Sequence, residues 1–172
     1  MDNLEMCSRF LRELDEPIRW KWAIIAAHQA LYAFAVMAVQ GTDACSVLER
    51  PEDPSSRLIS FWEALKRAKD PKYLWSGTTP LVTTPEEDRA LERVVKEFRN
   101  GFEHFAPAGW SIEVSGMPAL LGRVLRVIHG VSIGAQSGHV YDADEAVRLR
   151  NALGAAAVEL GMELPARGGL GT

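Results

Sequence analysis

The sequence predicts an all-α fold, a helical bundle of about six helices, and three observations predict it. Apolar residues recur at i, i+3, i+4 and i+7 along most of the chain, with almost no alternation of period two. Start and stop signals such as Pro17, Gly41, Thr84-Pro85, Asp142 and Gly161 separate those periodic runs. The stretch from Trp22 to Val39 is apolar apart from His28 and Gln29, the pattern of a helix covered on most sides by others or by a second subunit.

Each element follows in order. Leu4, Cys7, Leu11 and Leu14 share one face of a first helix. Asp15, then Pro17, opens a second helix that runs to Gln40 and stops at Gly41. Residues 41–54 form a loop, and Asp53-Pro54 is expected to open a third helix carrying Leu58, Ile59, Trp62 and Leu65. That helix ends before Pro71, and residues 70–84 form a loop packed down by Tyr73, Leu74 and Trp75. Thr84, Pro85 and Glu87 make a capping box with proline in the first turn. They open a fourth helix, lined by Leu91, Val94, Val95, Phe98, Phe102 and Phe105. Residues 106–114 read as an extended connector. Ser115 is expected to cap a fifth helix with Leu120, Leu121, Val124, Leu125 and Ile128 inside. After a turn at Gly134–Gly138, Asp142 and Glu145 open a sixth helix through Leu149, Leu153, Ala156 and Leu160, closed by Gly161.

The length of 172 residues fits one domain, here residues 1–162, with a Gly- and Pro-rich tail at 163–172. The net charge of −4 excludes a global basic field, so any nucleic-acid contact needs a local patch. Cys7 and Cys45 are the only cysteines; their separation offers neither a disulfide framework nor a zinc site, and fits a reducing, cytoplasmic setting. No cofactor is expected: the paired Glu-x-x-His motifs of a di-iron bundle are lacking. The N-terminal MDNLEMCSRF is acidic and polar, unlike a secretory signal. Trp22–Val39 is nearly long enough to span a bilayer, but His28 and Gln29 near its middle would be costly in lipid, so no membrane partner is expected.

The residues that carry chemistry are Arg99-Asn100-Gly101-Phe102-Glu103-His104, near the end of the fourth helix. Arginine is permanently charged and grips phosphate through a planar fork. Histidine exchanges a proton near neutral pH. Two readings are open: Arg99 is a solvated helix residue and His104 a helix-end histidine favoured by the dipole, or the two form a minimal kit for cleaving RNA without a metal, in which His104 transfers protons and Arg99 stabilises the charge on phosphorus. Asn100 orients His104 or binds a phosphate oxygen. On an ideal α-helix, however, residues five apart lie about 140° apart around the axis. Gly101 can loosen the helix, Arg99 can swing round, or two chains can pair so that their motifs face each other.

Arg-x4-His with a polar residue after the arginine resembles the signature of the HEPN superfamily, small all-helical domains that include many ribonucleases. The resemblance rests on Arg99, Asn100 and His104 and on the helical layout. It implies a homodimer with a composite site, metal-independent endoribonuclease activity, RNA as substrate, and a role in defence or a toxin system. It also implies an antitoxin or other regulatory protein as partner, although the tyrosine that some toxin members carry two residues after the histidine is Ala106 here. The alternative is a non-catalytic helical module that binds a protein or nucleotide partner; a purely structural dimerisation domain is the third reading.

Other groups carry two readings each. Lys66, Arg67, Lys69 and Lys72, interleaved with Trp62, Tyr73 and Trp75, suit single-stranded RNA, or else form a solvated helix face whose aromatics point inward. His28 reads as a core histidine with one hydrogen-bond partner, or as a neighbour of His104 in the cleft. His129 and His139 read as a helix-face and a turn residue. Trp110-Ser111-Ile112-Glu113 walls the cleft or anchors the connector.

Overall fold

The computed structural model describes residues 1–15, 18–41, 43–75, 78–99, 114–134 and 141–165. Among them are six α-helices: α1 (Asp2–Glu13), α2 (Ile18–Gln40), α3 (Phe61–Ala68), α4 (Pro85–Arg93), α5 (Met117–His129) and α6 (Ala143–Glu159). Two 3₁₀ turns, Ala44–Val47 and Pro71–Tyr73, lie within the connections. No strand occurs among the described residues, only an isolated antiparallel bridge between Leu48 and Leu58. The chain is a helical bundle, as its periodicity predicts.

The apolar helix α2 is the centre. Trp20, Ala23, Ile24, Ala27, His28, Leu31, Phe34 and Ala35 are among its buried residues. It packs against α1, α3 and α5. Among the described residues α2 alone is long and apolar enough to cross a membrane; here neighbouring helices cover most of it. Its flanks differ: α1 and α6 pack together on one side, and α4 and α5 on another. Arg148 of α6 clamps α1 through Glu5 at 2.7 Å and Asp2 at 3.2 Å. The Glu5 carboxyl is held below its usual range, chiefly by the hydrogen bond from Arg148.

Two capping boxes form as the sequence predicts. The Thr84 hydroxyl accepts from the Glu87 amide while the Glu87 carboxylate accepts from the Thr84 amide, and Asp142 and Glu145 do the same for α6. Two expected helix starts move. The third helix does not begin at Asp53-Pro54: the Asp53 carboxylate instead accepts from the Ser55 amide and hydroxyl, a tight turn. Leu58 is drawn into the bridge with Leu48, the Ile59 amide donates to the Val47 carbonyl at 2.9 Å, and α3 starts after Ser60, whose hydroxyl accepts from the Glu63 amide. The cap of α5 is Gly116 rather than Ser115, with Met117 and Pro118 in the first turn and no side-chain cap.

Two helices change their winding. α4 continues as a π-helix over Val94–Arg99, and α5 over Gly130–Gly134. Both π segments pack on α2.

Two stability predictions arise from this packing. Gly41 ends α2 at φ +51°, and a Cβ there would lie 2.7 Å from the Trp75 indole nitrogen. Gly41→Ala is expected to lower stability by about 1–2 kcal/mol for the left-handed backbone alone, with the clash added, read as a fall in urea midpoint. Cys7 is 1% exposed, and burial pushes its thiol up to about 12. The folded pKa lies above that of the unfolded chain, so this contribution to stability is complete at neutral pH and is lost as pH rises from about 9 towards 12. A thiol reagent should therefore modify the half-buried Cys45 in the native protein and reach Cys7 only after denaturation.

Candidate functional site

The helix that carries Arg99 is set by local chemistry at its start and by packing along its length. The Thr84–Glu87 box fixes its first turn. Ala90, Leu91, Val94 and Phe98 then bury one side against the bundle. Arg126 of α5 reaches Glu87 at 3.5 Å and ties the start of α4 to α5. Arg99 ends the π segment and is half-buried. Asn100 and His104 lie outside the described residues, as do Trp110–Glu113 and His139.

The π winding of Val94–Arg99 ends at the first residue of the motif and spans Val94 and Arg99, themselves five residues apart. On an α-helix, residues i and i+5 point in different directions. A π-helix bonds i to i+5, so residues at that spacing stack on one face. π turns are rare and occur often at functional sites. The sequence does not mark this winding, because Leu91, Val94, Val95 and Phe98 have the spacing of an ordinary helical face.

The basic residues of α3 and the loop after it are not a bare cationic patch. Arg67 turns inward, its side chain 15% exposed, donating to Glu63 at 2.8 Å and to the Ser46 carbonyl at 2.8 Å. Its guanidinium also lies over the Tyr73 ring. Lys69 is held by Asp88 at 2.8 Å and by the Thr83 hydroxyl at 2.6 Å. Burial opposes the charge of Asp88, but the hydrogen bonds from Lys69 and Thr83 outweigh it and keep the carboxyl below its usual range. Lys66 and Lys72 are exposed, with Glu63 and Asp70 at 3.7 and 3.8 Å. Lys72 also sits over Tyr73. Arg67 and Lys69 therefore brace the scaffold, while Lys66 and Lys72 present charge to solvent.

The histidines also separate. His28 is buried in the core of α2, its ring 4.7 Å from that of Phe61. His129 ends α5, and partial burial lowers its pKa. No cluster of three or more metal-ligating side chains occurs among the described residues.

Between α3 and α4 lies an open groove of about 410 Å³, bordered by Trp62, Leu65, Lys66, Lys69, Asp88 and Glu92. Its lysines and its tryptophan are legible in the sequence, but its acidic wall is not, because Asp88 and Glu92 belong to a different helix. Comparison with family models, with curated proteins and with solved structures gives no match for this chain.

Proposed function

We propose that the protein is a metal-independent endoribonuclease of HEPN type that works as a homodimer, in defence or in a toxin system. Arg99 and His104 are its catalytic residues, with Asn100 in support. The observation that carries this reading is the Arg-x4-His spacing with a polar residue after the arginine, and its Arg99 ends a π segment, a kind of winding that occurs often at functional sites. The half-buried setting of Arg99 supports it further, since a fixed guanidinium stabilises charge better than a solvated one. For pairing, α2 offers Ile18, Trp22 and Ile25 at helical spacing, the first two exposed.

In the reaction, a base takes the proton of a 2′-hydroxyl and the freed oxygen attacks the adjacent phosphorus. The bond to the 5′-oxygen breaks, and that oxygen takes a proton from an acid. The products are a 2′,3′-cyclic phosphate and a 5′-hydroxyl. His104 serves one or both proton transfers, supplied twice by the two chains of a dimer. Arg99 holds the phosphoryl oxygens as negative charge builds on them.

The test is RNA cleavage in EDTA by the wild type and by His104→Ala. Wild-type cleavage that leaves 2′,3′-cyclic ends, lost in the variant, supports the assignment. No cleavage by a folded protein across several RNAs overturns it. The engaged state of Arg67 and Lys69 would then favour the second reading, a non-catalytic module binding a protein or nucleotide partner, because it leaves few cations for a long RNA.

A further inference from the structure

The groove between α3 and α4 is built from two faces. Trp62, Leu65 and Lys66 on α3 and Lys69 at its C-terminal cap fall at i, i+3, i+4 and i+7, and Asp88 and Glu92 at i and i+4 on α4. The Lys69–Asp88 pair ties α4 to the end of α3, with the Thr83 hydroxyl bonded to both, and so engages these two charges with each other. Leu65 is buried and gives an apolar floor. What stays accessible is chemically mixed. Trp62 is 39% exposed and is braced edge-on by Phe61 at 4.9 Å between ring centroids. Lys66 is 76% exposed, and its contact with Glu63 at 3.7 Å is long enough to exchange. Glu92 is exposed too, and its ion pair with the exposed Lys96 is equally long at 3.7 Å.

We infer that this groove is a nucleobase slot for single-stranded RNA: Trp62 stacks the base, Lys66 meets an adjoining phosphate, and Glu92 accepts from an exocyclic amino group. A nucleotide matches all three features at once, offering an aromatic face, an anionic backbone and, in cytosine, adenine and guanine, an amino donor. Base stacking on an aromatic side chain is a large and sequence-tolerant term. A carboxylate adds selectivity, because it accepts from an amino group such as that on C4 of cytosine, while the corresponding position of uracil is itself an acceptor. The slot rests on the ribonuclease reading for its role. Glu92 precedes Arg99 by only seven residues on one continuous helical run, so one short strand can reach both.

The test separates binding from cleavage by using fluorescent eight-nucleotide DNA strands, which lack the 2′-hydroxyl that the reaction needs. Anisotropy at low salt is expected to show oligodeoxycytidine binding at least about fivefold more tightly than oligodeoxyuridine, the lower end of the discrimination a good base contact gives. Trp62→Ala should weaken binding about 5- to 150-fold, Trp62→Phe should keep most of it, and Lys66→Glu should weaken binding to both strands. Glu92→Gln should erase the preference for cytosine, since an amide can donate to uracil as well as accept from cytosine. Wild-type affinity in a folded Trp62→Ala protein overturns the slot, as does an absence of binding to either strand. RNA cleavage that persists alongside a failed binding test leaves the catalytic reading standing without the slot. Binding without any RNA cleavage does the reverse.

Discussion

Replacing His104 with alanine is expected to lower RNA cleavage about 10²- to 10⁴-fold, the range over which a positioned acid or base contributes. The loss should appear in kcat with little change in KM, because the imidazole acts on protons that move only in the transition state. Arg99 should behave differently. Arg99→Ala removes the charge that offsets the growing negative charge on phosphorus and is expected to cost about 10²- to 10³-fold. Arg99→Lys keeps the charge and loses the planar fork, so it should recover only part of that loss. A merely structural role for Arg99 gives the opposite order: lysine would restore full activity, and the alanine variant would lose stability in proportion to activity. Single-turnover cleavage in EDTA, with each variant checked by circular dichroism, separates these outcomes.

The parts of this fold that were legible in the sequence are those whose chemistry is local. Thr84 with Glu87 and Asp142 with Glu145 each satisfy orphan amides within four residues, so the pattern alone carries the structure. Gly161 closes α6 at φ +62°, for the same local reason. The core face of α5 was legible because Leu120, Leu121, Val124, Leu125 and Ile128 repeat with the helix, and all are buried. What was not legible depends on partners far along the chain. Asp53-Pro54 has the look of a helix start, but Asp53 closes a turn with Ser55 and the Leu48–Leu58 bridge pairs the chain beyond it, so the helix starts only after Ser60. The inward turn of Arg67 depends on the Ser46 carbonyl, twenty-one residues earlier. The π winding of Val94–Arg99 leaves hydrophobic spacing almost unchanged over so short a run, and so gives no periodic signal.

The candidate site divides along the same line. Arg99, Asn100 and His104 were read from spacing, and the structure adds to them only the setting of Arg99. The α3–α4 groove could not have been read from either helix alone, because its cationic and acidic walls meet only in the fold.

The second large effect is expected in α2, where two aromatic side chains of one apolar helix should differ sharply. Phe34 is 1% exposed, and Phe34→Ala is expected to lower the free energy of unfolding by about 3–5 kcal/mol through lost burial and the cavity left behind. That is a large share of the roughly 5–15 kcal/mol that holds most domains folded. Trp22 is 43% exposed and meets Phe10 at 6.2 Å between ring centroids, so Trp22→Ala removes far less buried area. It should cost about 1 kcal/mol or less in the monomer. The asymmetry is informative because composition cannot see it: by length and hydropathy the helix qualifies equally for a bundle core and for a membrane span. In a bilayer Phe34 and Trp22 would both face hydrocarbon or the interface, and the two truncations would cost alike. Urea unfolding in aqueous buffer, followed by circular dichroism, decides between these outcomes. A Trp22→Ala loss that grows with protein concentration, where Phe34→Ala loses the same amount at every concentration, would place Trp22 in a dimer contact.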